Sequence, residues 1–485
     1  MAGPDGNNQY ESYQTERETT FLLSHSPSPP SSSTRSQERA PASTVTTPEE
    51  DVPTHYKYAL GMGYMLAFGV CGMVLGALVL TLDDLASNCG KTAIDVRPVL
   101  IARGVGAVLG TAASSKLYLW VPSNKMMSVF LLLVMVVLVY MPFITSVYPL
   151  YVAFLLLGLF TAITDTGCQI MTRKLHGAEA GPWMGANALA FGLSGVIVPL
   201  IGYLTGSPFV VYVTLSVVSC VTAVFLTILP TPGRNKGLHE GERQAIPSQR
   251  AGDGGGSREK SQASACKLTM FFLKYKIEFH ISGMLFWLFS GEVGAAGYLK
   301  RYVDETEVIG ESHAELLVVV LWMAIIIGRL AGIQDQRHLT LSRLYRHSTI
   351  LFLGGTTAAT AILVFQKSAF VLWTGIAAYG LCDGPTIGYC YDLNNRMATP
   401  SEMGTSVAML GQNFGASIAP YVISWVWDYT DWPQILIVVT LLSHLLPYPF
   451  MLNAKRIDEA NKRRLREEAI YSGPSETRLA PSFFL

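Results

Sequence analysis

The chain has 485 residues, 50% of them hydrophobic and only 14% charged, against roughly 25% charged in soluble domains, which excludes an ordinary water-soluble protein. Lys plus Arg balance Asp plus Glu at 35 each, so no net basic charge points to nucleic acid as a partner. The seven cysteines are scattered, and no Cys/His spacing suits a metal; neither metal nor cofactor is expected.

Residues 1–56 are polar, rich in Ser, Thr, Pro and Glu, and lack the apolar core of a signal peptide. They read as a disordered cytoplasmic N-terminal tail. Within the tail, Glu18-Thr-Thr-Phe-Leu22-Leu23 fits an acidic dileucine sorting pattern. Clathrin adaptor proteins read such patterns on flexible cytosolic segments. The pattern points to the lysosomal or endosomal membrane, with plasma-membrane cycling as the alternative.

A hydrocarbon core of about 30 Å calls for about 20 apolar residues per spanning helix. By that measure spans fall near 57–82, 97–120, 125–146, 148–172, 183–204 and 208–230, then near 270–298, 314–333, 347–366, 369–391, 404–427 and 433–453. Between the two sets lies 231–267, which carries Pro232, the run Asp253-Gly-Gly-Gly-Ser257 and charges of both signs, a flexible linker. The expected organisation is an all-α membrane protein of about twelve transmembrane helices. They form two six-helix bundles, 57–230 and 268–453, with a tail at 454–485. Lys116, Lys125, Arg173, Lys174, Arg337, Arg343, Arg346 and Arg396 fall on the linker side, together with the basic residues of the linker and the C-terminal tail. The opposite loops hold few basic residues, mainly Lys91, Arg97, Lys300, Arg301 and Lys367. The positive-inside rule then places both termini and the linker in the cytoplasm.

Charged residues inside the spans are the functional signal. Each costs roughly 2.5–3.5 kcal/mol at mid-membrane on insertion scales, so such residues face a partner charge or a watery path. Arg103 lies in the second span and Asp165 in the fourth, with Gln169 one turn further along the same face. Asp165 can bind a solute hydroxyl, accept a coupling proton or ligate sodium; pairing with Arg103 is compatible with each. Glu292 lies in Gly291-Glu292-Val293, where Gly291 and Gly297 are expected to break or bend the seventh helix, and discontinuous helices commonly carry substrate sites. A buried acid there is a candidate proton carrier alongside Asp165. Asp383 precedes Gly384-Pro385 at an expected kink of the tenth span. Asn187, Gln412 and Asn413 are candidate hydroxyl binders, and Tyr298, with Trp287, Phe289 and Trp322, a candidate for stacking on a sugar ring. His280 and His444 read as structural. Gly192 and Gly195, like Gly104, Gly106 and Gly110, let helices approach closely.

Three of these segments resemble the fucose permease-like branch of the major facilitator superfamily, and within it the sodium-dependent glucose transporter group. Gly158 to Gln169 is similar to that branch's fourth-helix pattern, Gly291-Glu292-Val293 with Gly297-Tyr298 to its seventh, and Leu321-Trp322 with Gly328-Arg329 to its eighth. The run Gly192 to Pro199 resembles the fifth helix of the glucose transporter group. The resemblance implies the major facilitator fold and a monosaccharide substrate. It also implies Asp165 as a substrate- or proton-binding acid, and Arg329 as a structural or gating residue at the cytoplasmic end of its helix, bracing the loops. The first-helix acid of the branch is matched by Asp83 or Asp84. Arg103 departs from the group pattern, and its planar fork matches a carboxylate, which leaves organic anions and amino acids open beside sugars.

The chain therefore reads as a secondary active transporter of a small polar solute, coupled to H+ or Na+. A non-transporting sensor or adaptor with the same fold is the alternative. It lacks a Walker loop, a His-Glu-x-x-His segment and a Gly-x-Ser-x-Gly elbow, so it is not expected to be an enzyme.

Overall fold

The structure, a computed structural model, describes residues 54–121, 123–231, 269–310, 313–398 and 401–471. Glu18, Leu22 and Leu23, most of the linker and the last residues of the tail lie outside the described residues.

Among the described residues the chain is helical, with no strand. The first bundle contains α1 (Thr54–Leu80), α2 (Val99–Trp120), α3 (Ser123–Tyr140), α4 (Val147–His176), α5 (Ala180–Thr205) and α6 (Pro208–Ile228). The second contains α7 (Lys276–Thr306), α8 (Ala314–Gln336), α9 (Leu341–Val364), α10 (Ala369–Met397), α11 (Glu402–Thr430) and a last pair, α12 (Ile435–Leu445) and α13 (Pro447–Tyr471). Two short helices, Leu82–Asn88 and Ala93–Val96, connect α1 to α2. The last helix runs past the expected boundary at 453, because 454–471 is a strong helix former laced with i,i+4 pairs such as Lys462–Asp458 and Arg464–Glu468.

Large apolar side chains point outward all around the molecule, among them Tyr148, Val217, Leu353 and Phe370, as lipid contact requires. Eight helical segments are long and apolar enough to cross a membrane, and together they cover all the long helices except α7, α10 and α11. Those three helices carry Glu292, Asp383, Gln412 and Asn413: the polar groups that disqualify them by composition are turned into the protein, where all four side chains are buried.

Neither α7 nor α10 is interrupted at its glycines. The α7 helix is continuous through Gly291 and Gly297, and α10 is continuous through Gly384-Pro385. The α7 glycines make room instead: a Cβ on Gly291 would strike Ser443 and the Tyr379 hydroxyl. Asp83 and Asp84 lie exposed in the short helix after α1, outside the buried set.

Candidate functional site

The interior is organised by close helix pairs. At Gly106 of α2 and Gly158 of α4 the backbones approach so closely that a Cβ on either would collide with a carbonyl of the other helix, that of Leu155 or of Arg103. This contact brings Arg103 and Asp165 into one buried region facing α11 of the other bundle. Arg103 Nη1 donates to Ser417 Oγ at 2.8 Å, and its Nε has no partner among the described residues. Asp165 Oδ1 accepts from Asn413 Nδ2 at 3.3 Å and from Thr166 Oγ1 at 3.1 Å. Asn413 Nδ2 also donates to Thr111 Oγ1 at 3.0 Å. The direct Arg103–Asp165 ion pair that the sequence left open is absent among the described residues; each side chain has a neutral partner on α11 instead.

One turn beyond Asp165, the Gln169 side chain is fully buried, and neither Oε1 nor Nε2 has a hydrogen-bond partner among the described residues. Buried amides are normally satisfied. The other polar candidates are engaged within the protein: Asn187 donates to Thr172 Oγ1 at 3.0 Å, and Gln412 Oε1 accepts from the Tyr391 hydroxyl.

A second centre joins the bundles through α7, α8 and α5. Arg329 lies two turns inside α8 rather than at its loop end. Its Nη2 donates to both Glu292 oxygens, at 2.6 and 2.7 Å, and its Nη1 to the Ala188 carbonyl of α5 at 2.7 Å. Gly192 and Gly195 of α5 are small for a reason visible here: added Cβ atoms would meet the Arg329 guanidinium and the Trp322 ring. Phe289 is buried in an edge contact with Phe191, and the Tyr298 hydroxyl donates to the Pro420 carbonyl; neither aromatic lies free beside the polar cluster.

Asp383 occupies a third place, inside the second bundle, with His444 Nε2 3.8 Å from Oδ1. Its two carboxylate oxygens and that ring nitrogen have no hydrogen-bond partner among the described residues. His444 is therefore not the satisfied structural histidine expected of it.

The residues that close the two ends escaped notice in the sequence. On the linker side Arg173 of α4 donates to the carbonyls of Asn394, Asn395 and Ala398 at the end of α10, at 3.3, 3.4 and 3.0 Å, and Lys174 pairs with Glu402 of α11 at 2.5 Å. On the opposite side Arg97, just before α2, pairs with Asp428 of α11, which also accepts from Arg301 at 2.9 Å. Arg97, Arg173 and Lys174 looked like ordinary loop-side charges. The available signal was positional, since each is a helix-end cation whose partner lies in the other half of the chain.

A family model for the Major Facilitator Superfamily matches residues 60–420. The sodium-dependent glucose transporter 1 of Xenopus laevis is 19% identical over 432 residues, covering 82% of this chain and 82% of that protein. Among solved structures, the proton:xylose symporter XylE superposes with a TM-score of 0.62 at 13% identity, covering 83% of this chain and 96% of XylE. The transporter FucP, in its outward conformation, superposes with a TM-score of 0.57 at 12% identity, covering 81% and 99%. The two six-helix bundles, the polar contacts between them and the match over most of the chain lead to one assignment: this chain is a multi-pass membrane protein that belongs to the major facilitator superfamily of transporters.

Proposed function

We propose that the chain moves a monosaccharide by alternating access of its two bundles, drawing on a proton or sodium gradient. The observation that carries this reading is Gln169, a fully buried amide with unused donors and acceptor, one turn from Asp165 and its Asn413 and Thr111 neighbours. A sugar hydroxyl both donates and accepts, so it suits an amide and a carboxylate side by side. The names of the related proteins, a sodium-dependent glucose transporter and a proton:xylose symporter, support the same solute class and leave the coupling ion open between Na+ and H+.

Arg103 supports a second reading. It is buried, bonded to a neutral hydroxyl, and has no carboxylate in direct ion-pair contact among the described residues, and a guanidinium so placed suits an organic anion. The acidic dileucine at Glu18, Leu22 and Leu23 supports a lysosomal or endosomal membrane with both termini in the cytoplasm, and clathrin adaptors as partners.

Uptake into cells expressing Leu22→Ala/Leu23→Ala tests the reading at the plasma membrane. Labelled glucose is offered with fucose and glucuronate as competitors, at acidic and neutral pH, with and without sodium. Saturable glucose uptake that follows one ion and is lost in Gln169→Ala supports it. Surface protein that moves no hexose but takes up glucuronate through Arg103 replaces it with the anion reading.

A further inference from the structure

Asp383 and His444 face one another with one donor too few. Ser443 Oγ lies 2.7 Å from the Thr440 carbonyl and 3.1 Å from both the Tyr379 hydroxyl and His444 Nδ1; assigning its one hydrogen to the carbonyl, its shortest contact, makes Tyr379 and His444 Nδ1 the donors. With Nδ1 protonated, a neutral imidazole presents the lone pair of Nε2 toward Asp383. Opposite it, at 3.8 Å, stands a carboxylate oxygen, which when ionised is also only an acceptor. Both residues are 0% exposed, and Nε2, Oδ1 and Oδ2 find no partner among the described residues. Two buried acceptors facing one another are unfavourable. One proton between them supplies the missing donor and cancels the charge.

We propose that Asp383 and His444 form a site that binds a single exchangeable proton, separate from Asp165 and carried wholly by the second bundle. The proton comes from water and rests on Asp383 Oδ1 as a carboxylic acid donating to Nε2, which leaves the pair neutral. A hard cation is a poor alternative occupant, since such ions want several oxygen ligands and here a ring nitrogen faces one carboxylate.

Among the described residues the charged neighbours of the pair are few. From α7 and α8 the charges acting on Asp383 are Glu292 and Arg329, which neutralise each other in their own ion pair. The α10 helix itself brings Tyr379, Cys382 and Cys390. The α9 helix brings Phe352 and Gly355 against the imidazole. An ionised Asp383 attracts the Arg329 guanidinium and repels the Glu292 carboxylate, and a protonated one does neither. The proton thereby acts on the contact that ties α8 to α5, and its use in driving solute movement rests on the transport reading above.

The test is infrared difference spectroscopy of the purified full-length protein in lipid, titrated with pH in the absence of any solute. The carbonyl stretch of a protonated, buried carboxyl is expected in the wild type and is lost in Asp383→Asn, whose amide supplies the missing donor toward Nε2. In His444→Gln the band persists with its pH midpoint displaced by about one unit or more, as for any pair that shares a proton. A band that survives Asp383→Asn with the same titration overturns the proposal, as does an unmoved midpoint in His444→Gln. The His444→Gln arm decides the matter even if Asp383→Asn does not fold. Because no solute is present, failure of hexose uptake leaves this result standing, and failure here leaves the transport reading untouched.

Discussion

Arg329 holds both oxygens of Glu292 through a single guanidinium nitrogen, Nη2, at 2.6 and 2.7 Å, which leaves Nη1 free to bond the Ala188 carbonyl of the other bundle at 2.7 Å. One cation thus neutralises a buried acid and fastens α8 to α5. Gly192 is what permits it, since a Cβ there would occupy the place of Nη1.

Removing one member of a buried ion pair strands the other, at a cost of about 3–5 kcal/mol, while replacing both with apolar groups of similar volume is often neutral. Glu292→Gln and Arg329→Met are each expected to lower the unfolding temperature of the purified protein sharply. The double change Glu292→Leu/Arg329→Met is expected to recover most of the loss in stability while abolishing transport. Additive losses in the double variant would show that the two side chains do not act as a pair.

The opposite outcome is expected for Arg103 and Asp165. Their direct partners are different residues of α11, Ser417 and Asn413, joined by the Ser417 Oγ donation to the Asn413 carbonyl, so the coupling between Arg103→Ala and Asp165→Asn should stay within about 1 kcal/mol, the low end for residues of one network. A coupling well above that value would mean the two charges pair in the folded protein after all. Transport separates the roles further: Asp165→Asn is expected to abolish solute movement, because the carboxylate sits one turn from the Gln169 amide, which has no partner among the described residues.

How much of this could be seen in the chain itself depended on the scale of the signal. Span length, the polar linker and buried charge are properties of twenty-residue windows, and they located the bundles and the interior residues Asp165, Gln169, Glu292 and Asp383. Partner choice was not legible. Arg103 and Asp165 are the obvious opposite charges in the first half, yet Asn413 and Ser417, more than two hundred residues away in sequence, occupy them. Arg329 looked like a loop-end cation because only the packing of α7 against α8 shows Glu292 within its reach. Glycine was misread for a similar reason. In a sequence it signals a break, whereas Gly291 sits in an unbroken helix and admits Ser443 and Tyr379.

Arg173 is expected to act as a latch on the linker side. Its guanidinium spans two helices, Nη2 bonding carbonyls at the end of α10 and Nη1 the Thr405 hydroxyl of α11, and no single ammonium reaches both sets at once, so Arg173→Lys should behave much like Arg173→Ala. Both should favour a conformation open on that side. Cys390, buried on α10, is a native reporter: its labelling by a small maleimide is expected to speed up in both variants. Unchanged labelling would remove the latch. Restoration by lysine alone would reduce the contact to simple charge.

The α2–α4 seam offers the sharpest test of how the interior is held in register. Gly158 abuts the Arg103 carbonyl, and an added methyl there would collide with main chain, which cannot rotate away as a side chain could. The two helices must part or slide, and Arg103 and Asp165 move with them, each losing its alignment with α11. Overpacking of this kind costs about 1–3 kcal/mol, and solute movement should fall by far more than stability, because the site depends on the spacing. Gly76 provides the control: a methyl there meets only the Val198 side chain, at 3.8 Å or beyond, so Gly76→Ala should be tolerated in both readouts. Equal damage from the two substitutions would mean that helix-wide glycine content, and not the Gly158 contact, sets the geometry. Selective loss of transport in Gly158→Ala, with Gly76→Ala near wild type, would tie the site to that single approach of α2 and α4.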